Sequence, residues 1–293
     1  MEYVQITDVT PRDGLQDASG YVPLENKLAL VKGLYGAGIR SIEATAFVRS
    51  QRIPFLADGD QLLGLVRDLD AEWVALVPNP KGVGRAIRAG ADTVTVVVSA
   101  SESHNRANLN RSQSETLDLL RESTLMAHEA GLHVRGAIST AFACPFEGNI
   151  PWRQVEKVTE AYLRMGVDEL SIADTMGTAT PLEVKDRVSK IRALATKLPL
   201  GIHLHDRFGW ALANVAMAYE YGVRRFESAL AGLGGCPYAP GAAGNLDTEH
   251  LVMFFHAQGI ETGINDSLLK PVKNDLIEVL SKHLPPPNFS DPG

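Results

Sequence analysis

The chain has 293 residues, of which 45% are hydrophobic and 22% charged, with a formal net charge of −7. That balance belongs to a globular protein with a sizeable core, the acidic charge speaks against nucleic acid as a partner, and no apolar run approaches the roughly 18 residues needed to span a membrane. Two cysteines, Cys144 and Cys236, are too few for a disulfide framework, and the first residues run straight into a strand with no basic-then-apolar leader, so a reduced, cytoplasmic protein is expected.

The first strand is expected over 3–9, "YVQITDV", and it runs directly into "TPRDGLQD". Pro, Asp and Gly together make a good turn for local reasons, so Arg12 and Asp13 need support from elsewhere before they carry chemistry. A helix over 24–37 follows, then strands over 41–47, 72–78 and 93–100. Further on come a helix at 112–130, a strand at 133–140, a helix at 152–165 and a strand at 169–175. The series closes with a helix at 182–197, a strand at 201–206, a helix at 209–221 and a strand at 225–231. Helices ending in "YGAGIR", "HEAGLH", "RMGVDE" and "EYGVRR" place Gly where a left-handed C-cap is wanted. Strands alternating with helices across short connections imply a parallel sheet, and eight of them in one chain of this length imply an α/β fold of the (β/α)8 TIM-barrel kind. A doubly wound open sheet is the alternative, but neither G-x-G-x-x-G nor the phosphate-loop pattern is present. Residues 1–293 are expected to form a single catalytic barrel, with about 264–293 as a C-terminal helical extension and tail.

In such a barrel the chemistry sits at the C-terminal ends of the strands. Polar residues interrupt the apolar strands at those ends. Arg12 and Asp13 follow the first strand, Glu43 lies in the second, Asp174 closes the sixth, and "HLHD" ends the seventh. His203 and His205, two apart, face the same side. With Asp13 and the side-chain oxygen of Asn245 they make a donor set suited to octahedral Mg2+ or Mn2+ more than to a closed zinc site, although ligand type alone leaves zinc open. The loop "GLGGCPYAPGAAGN" brings small residues and one thiol, Cys236, which reads either as an incidental cysteine in a flexible lid or as an acid or base delivered by loop closure. Cys144 reads as structural or incidental.

"VTPRDGLQ", "IEATAFV", "VRGAISTAFACPFEG", "SIADTMGTATP", "HLHDRFGWALAN" and "AGLGGCPYAPGAAGNLDTE" together resemble the 3-hydroxy-3-methylglutaryl-CoA lyase family over nearly the whole chain. The glycine-rich loop with its Cys is the most specific of these; the "RDG" start and the His-x-His strand are shared with acyl-CoA aldol synthases. The resemblance implies a metal-dependent barrel enzyme that splits a 3-hydroxyacyl-CoA, acts as a homodimer or higher homo-oligomer, and has no nucleic-acid or membrane partner. It implies Asp13, His203, His205 and Asn245 as metal ligands and Arg12 as the stabiliser of a thioester enolate. Cys236, Glu43, Asp174, His203 and Asp13 then take part in catalysis, and Arg12, Gln16, Ala46, Thr175, Arg207 and Trp210 surround the substrate. The chain departs from the family's usual pattern at Ala46, where Ser is usual, and at Arg207-Phe208-Gly209-Trp210, where Thr-Tyr-Gly-Gln is usual. Those departures raise citramalyl-CoA or a longer branched acyl-CoA as alternative substrates. A synthase running the bond in the forming direction, and a non-catalytic metal or acyl-CoA binding barrel, are the other readings. Lys81 and Arg106 are candidates for the CoA phosphates or ordinary surface charges.

Overall fold

The computed structural model describes residues 2–16, 18, 21–50, 53–235 and 243–282. Eight parallel strands close into a barrel. They are β1 (Gln5–Asp8), β2 (Ser41–Ala46), β3 (Glu72–Val77), β4 (Thr93–Ser99), β5 (His133–Ser139), β6 (Glu169–Asp174), β7 (Leu200–Leu204) and β8 (Arg225–Ser228). Closure is made by β1 against β8, with Gln5 opposite Arg225 and Asp8 opposite Ser228.

Strand periodicity explains how the chain builds both sides of the wall. In "TVTVVVS" of β4, Val94, Val96 and Val98 are fully buried beneath the helices. Thr93 and its period-2 partners face the axis. The inner floor is polar, and its charged groups are paired. Glu72 accepts from Gln5 Nε2 (2.8 Å), Ser41 Oγ (2.7 Å) and Thr93 Oγ1 (2.7 Å). Arg135 and Arg225 both hold Glu169, at 3.0 and 2.6 Å. Buried charges of this kind persist only when each has its counterpart.

The long helices begin where side chains can satisfy free amides. Ser112 and Glu115 form a capping box at Gln113–Glu129, and Thr180 and Glu183 another at Pro181–Leu194. Gly166 ends Trp152–Met165 at φ 75, a conformation only glycine adopts freely. The expected C-terminal helix is present as Asp266–Ser281 and packs on the first helix, Leu24–Gly36. A Cβ at Gly33 would lie 2.6 Å from Val272 Cγ2, so the absence of a side chain there sets the approach.

Lys27 and Asp8 are ionisable groups buried outside the axis. Lys27 (1% exposed) bonds both oxygens of Asp58, at 2.8 and 3.0 Å, and thereby ties the loop after β2 to the first helix. Asp8, wholly buried, accepts from Thr10 N (2.9 Å) and Thr248 Oγ1 (2.8 Å); its burial pushes the carboxyl up to about 6.

Several boundaries and elements differ from expectation. The seventh strand stops at Leu204, because His205 pairs only through an isolated bridge with Asn245. The eighth stops at Ser228, after which Leu230–Gly232 turns sharply with Ala231 at φ 57. "TPRDG" is a short π-helical turn rather than a simple reverse turn, since Val9 O accepts from both Asp13 N (2.8 Å) and Gly14 N (3.1 Å). Helices Gly59–Val66, Pro80–Ala89, Glu102–Leu109 and Thr248–Ala257 were not expected; at 8 to 10 residues each they offer too few turns for a clear apolar period.

Candidate active site

The π-helical turn after β1 places Arg12 and Asp13 at the C-terminal mouth of the barrel. There Asp13, His203 and His205 bring one ligand atom each within 4.8 Å of one another, all three residues being buried. Asp13 Oδ2 lies 4.0 Å from Nε2 of each histidine. Each imidazole is held from behind. His203 Nδ1 lies 2.9 Å from Glu227 Oε2, and His205 Nδ1 lies 2.6 Å from the carbonyl of Ala243. Both partners are acceptors, so both Nδ1 atoms carry a proton, and each ring in its neutral form presents an Nε2 lone pair.

Those two Nε2 atoms are only 3.1 Å apart. Two lone pairs at that distance repel unless a proton or a cation is shared between them. Asn245 completes the arrangement: its Nδ2 donates to Asp13 Oδ2 (2.7 Å) and Leu233 O (2.8 Å), while its buried Oδ1 has no hydrogen-bond partner among the described residues. An orphaned buried acceptor beside two convergent imidazoles and a carboxylate fits a divalent cation.

Beside this cluster Arg12 is gripped by two carboxylates, Glu43 Oε2 at 2.5 Å and Asp13 Oδ1. Burial disfavours the guanidinium charge, but Glu43 and Asp13 outweigh it and hold the proton more tightly than usual. Burial likewise opposes the Asp13 charge, and Arg12 with the histidines more than compensates, keeping its carboxyl below the usual range. Burial pushes His205 down to about 4, helped by the neighbouring His203. Burial acts the same way on His203, but the Glu227 carboxylate overrides it and raises that imidazole. Glu227 itself, despite burial, is brought down to about 2 by His203 and Arg135, and its Oε1 accepts from Ser171 Oγ at 2.8 Å.

The remaining candidates are placed as follows. Gln16 Nε2 reaches Asp13 Oδ1 (3.1 Å) and Gly235 O (3.3 Å). Ala46 is buried at the end of β2. Asp174 is wholly buried, accepts from Ala179 N at 2.8 Å and leaves Oδ1 without a partner among the described residues; burial pushes its carboxyl up to about 6. Thr175 Oγ1 accepts from Thr140 N at 2.9 Å. Arg207 and Trp210 are exposed on the loop that follows His205, with the Phe208 and Trp210 rings 5.1 Å apart. Cys236 lies outside the described residues. Cys144 is buried and its thiol donates to Ser101 Oγ at 3.0 Å. Lys81 is exposed, and Arg106 pairs with Glu102 at 2.9 Å. Glu227 was not anticipated from the sequence. Its signal was a carboxylate inside the strand "RFES", the same interruption that marks Glu43.

A closed (β/α)8 barrel with a fixed guanidinium, carboxylates and paired imidazoles at its C-terminal mouth has the plan of a barrel enzyme. The HMGL-like family model matches residues 3–276, and the chain belongs to that family. The hydroxymethylglutaryl-CoA lyase of Bacillus subtilis (strain 168) is 38% identical over 287 residues, covering 98% of this chain and 96% of the relative. The mitochondrial hydroxymethylglutaryl-CoA lyase of Homo sapiens is 39% identical over 280 residues, covering 95% and 86%. Among solved structures, an HMG-CoA lyase from Acenitobacter baumannii in complex with coenzyme A and 3-methylmalate superposes with a TM-score of 0.91 at 38% identity, covering 99% of this chain and 95% of that one. The protein is accordingly a carbon–carbon lyase.

Proposed function

We propose that the chain cleaves a 3-hydroxyacyl-CoA of the 3-hydroxy-3-methylglutaryl-CoA type into acetyl-CoA and a 3-oxo acid, acetoacetate for that substrate. A divalent cation, Mg2+ or Mn2+, would be held by Asp13, His203, His205 and Asn245. The observation that carries this reading is the convergence of two Nε2 atoms 3.1 Å apart on Asp13 and on Asn245 Oδ1, which has no partner among the described residues. The names of the relatives, and the coenzyme A in the complex with 3-methylmalate, support the acyl-CoA part.

When bound, the cation supplies Lewis-acid polarisation of the tertiary hydroxyl. The chain's own residues do the rest. The hydroxyl proton passes to a base at the mouth, and the carbon–carbon bond opens as the ketone forms. Arg12, immobilised by Glu43 and Asp13, faces the charge that develops on the thioester oxygen. A fixed charge of that kind is worth about 10²–10³ in rate. Cys236, Glu43 and Asp174 are the proposed proton carriers, one of which protonates the enolate carbon to release acetyl-CoA. Gln16, Ala46, Thr175, Arg207 and Trp210 are the proposed substrate neighbours. The same reading takes residues 1–293 as one catalytic barrel with 264–293 as its extension, in a cytoplasmic homo-oligomer.

The test is a coupled assay for acetyl-CoA release from 3-hydroxy-3-methylglutaryl-CoA, with Mg2+ or Mn2+ and again with chelator. Release that stops with chelator and returns with Mn2+ is expected. Release indifferent to chelator would remove the cation from the proposal, and no release would remove the reaction.

A further inference from the structure

Inside the mouth, the wall formed by β3 to β6 differs in kind from the ion-holding side. In these strands the outward positions Ala75, Val77, Val94, Val96, Val98, Val134, Ile138, Leu170 and Ile172 are essentially without exposure. The positions between them that remain partly exposed towards the C-terminal end are Leu76, Val97, Ala137 and Ala173, with Ser139 at the rim. Because side chains alternate across a strand, this exposure is to the cavity on the axis and not to the helices. Val97 and Ala137 are direct register partners, and Leu76 pairs with Thr95, two residues before Val97. Ala173 is opposite His203 in register, which ties the wall to the ion-holding residues.

The wall therefore offers one apolar side chain from each of four adjacent strands. No Lys, Arg or His is among these residues. Its polar atoms are hydroxyls: Ser99 Oγ, bonded to Thr140 Oγ1 at 2.6 Å, and Ser139 Oγ and Thr95 Oγ1, both buried and without partners among the described residues. Neutral hydroxyls do not neutralise a carboxylate, and the cation on the floor beneath Ala137, Arg135, is committed to Glu169 at 3.0 Å. The guanidinium at the mouth, Arg12, already lies between Glu43 and Asp13. A negatively charged substituent belongs on the Arg12 and imidazole side, and the opposite wall is left for hydrocarbon. Strands lie about 4.8 Å apart, so four of them span roughly 14 Å, several times the width of one methyl group.

We infer that the third-carbon substituent received by this wall is an alkyl chain of several carbons, so that the preferred substrate is a 3-alkyl-3-hydroxyglutaryl thioester longer than the methyl compound. This rests on the lyase reading above. The reaction is unchanged in form: the bond between C2 and C3 breaks with its electron pair going to C2. The C3 hydroxyl gives up its proton and becomes a ketone, and C2 takes a proton. The products, acetyl-CoA and the 3-oxo acid bearing the alkyl chain, contain all the atoms of the substrate.

The experiment compares kcat/KM for 3-hydroxy-3-methylglutaryl-CoA and its 3-butyl homologue on the Mn2+-loaded enzyme, in wild type and in Val97→Phe and Ala137→Leu. The wild type is expected to favour the butyl compound by at least about tenfold, and both variants to lower the butyl-to-methyl ratio by a similar factor. Reading a ratio in two separate variants keeps the test informative if one of them fails to fold. Equal or better cleavage of the methyl compound by wild type would overturn the inference and leave the lyase reading intact. A butyl preference that neither variant moves would overturn the assignment to this wall. Cleavage of neither thioester would overturn the lyase reading and this inference with it.

Discussion

Glu227 is the residue whose replacement tests the site most sharply, because it is argued to act only through His203. Its Oε2 accepts the imidazole proton at 2.9 Å and its Oε1 accepts from Ser171 Oγ at 2.8 Å, in a setting where His203 is 10% exposed and Glu227 13%. Glu227→Ala leaves the Nδ1 donor buried without a partner, a cost of about 1–3 kcal/mol, and frees the ring to turn or to change tautomer. Loss of such a supporting carboxylate lowers metal affinity by about 10–100-fold, equivalent to about 1.4–2.7 kcal/mol. Glu227→Gln preserves an oxygen facing Nδ1 and removes only the charge, so its effect is expected near the lower end, about tenfold. Calorimetric titration of each purified, chelator-treated variant with Mn2+ measures these affinities directly. If Glu227→Ala binds Mn2+ within about threefold of wild type, the argument that the carboxylate fixes the ligand tautomer is wrong.

Two further predictions concern stability. Asp8 has a folded carboxyl near 6 against an ordinary 3.8, a shift of about 2 units or about 3 kcal/mol. The folded state binds the extra proton between those values, so stability falls as pH rises from 3.8 through 6 and the full penalty is present above 6. Asn at this position can still accept from Thr10 N. The stability gap between Asp8→Asn and wild type is therefore expected to widen in favour of the variant by about 2–3 kcal/mol from pH 4 to pH 7; parallel urea profiles across that range would refute the assignment. Lys27→Met strands Asp58 in a site where its side chain is 6% exposed, at an expected cost of about 3–5 kcal/mol. A urea midpoint that moves by less than the equivalent of about 1 kcal/mol would mean that water replaces the lost ammonium.

The barrel was legible because its strands alternate so regularly. "TVTVVVS" buries every second residue, Val94, Val96 and Val98, under helices and turns Thr93 and Thr95 inward, and such a pattern has few other solutions. The short helices were not legible, since Gly59–Val66 and Glu102–Leu109 are fixed by packing on the barrel more than by their own periodicity. At the site, residues that interrupt apolar strands were readable one at a time. What the linear sequence could not show was which of them share a hydrogen bond. Glu227 meets His203 only because β7 and β8 set them in register, and Asn245 meets Asp13 only because the chain returns to the mouth after the barrel has closed. The exposed placement of Arg207 and Trp210 also depended on where β7 stopped, which a bridge from His205 to Asn245 decides.

The seam between the two ends of the chain has a consequence for how the protein comes into being. Val4 N bonds Glu261 O, Glu261 N bonds Glu2 O, and β1 pairs along its length with β8. Asn245 and Asp13, joined at 2.7 Å, are 232 positions apart. During synthesis, at about 5–20 residues per second, the first strand waits on the order of ten seconds or more for the segment that covers its open edge. A fragment that ends before residue 245 lacks Asn245, and a chain whose β8 has not yet emerged carries an unclosed sheet with one flank unpaired. The catalytic mouth is thus assembled late, and the hazard of an exposed strand edge ends only when β8 reaches β1.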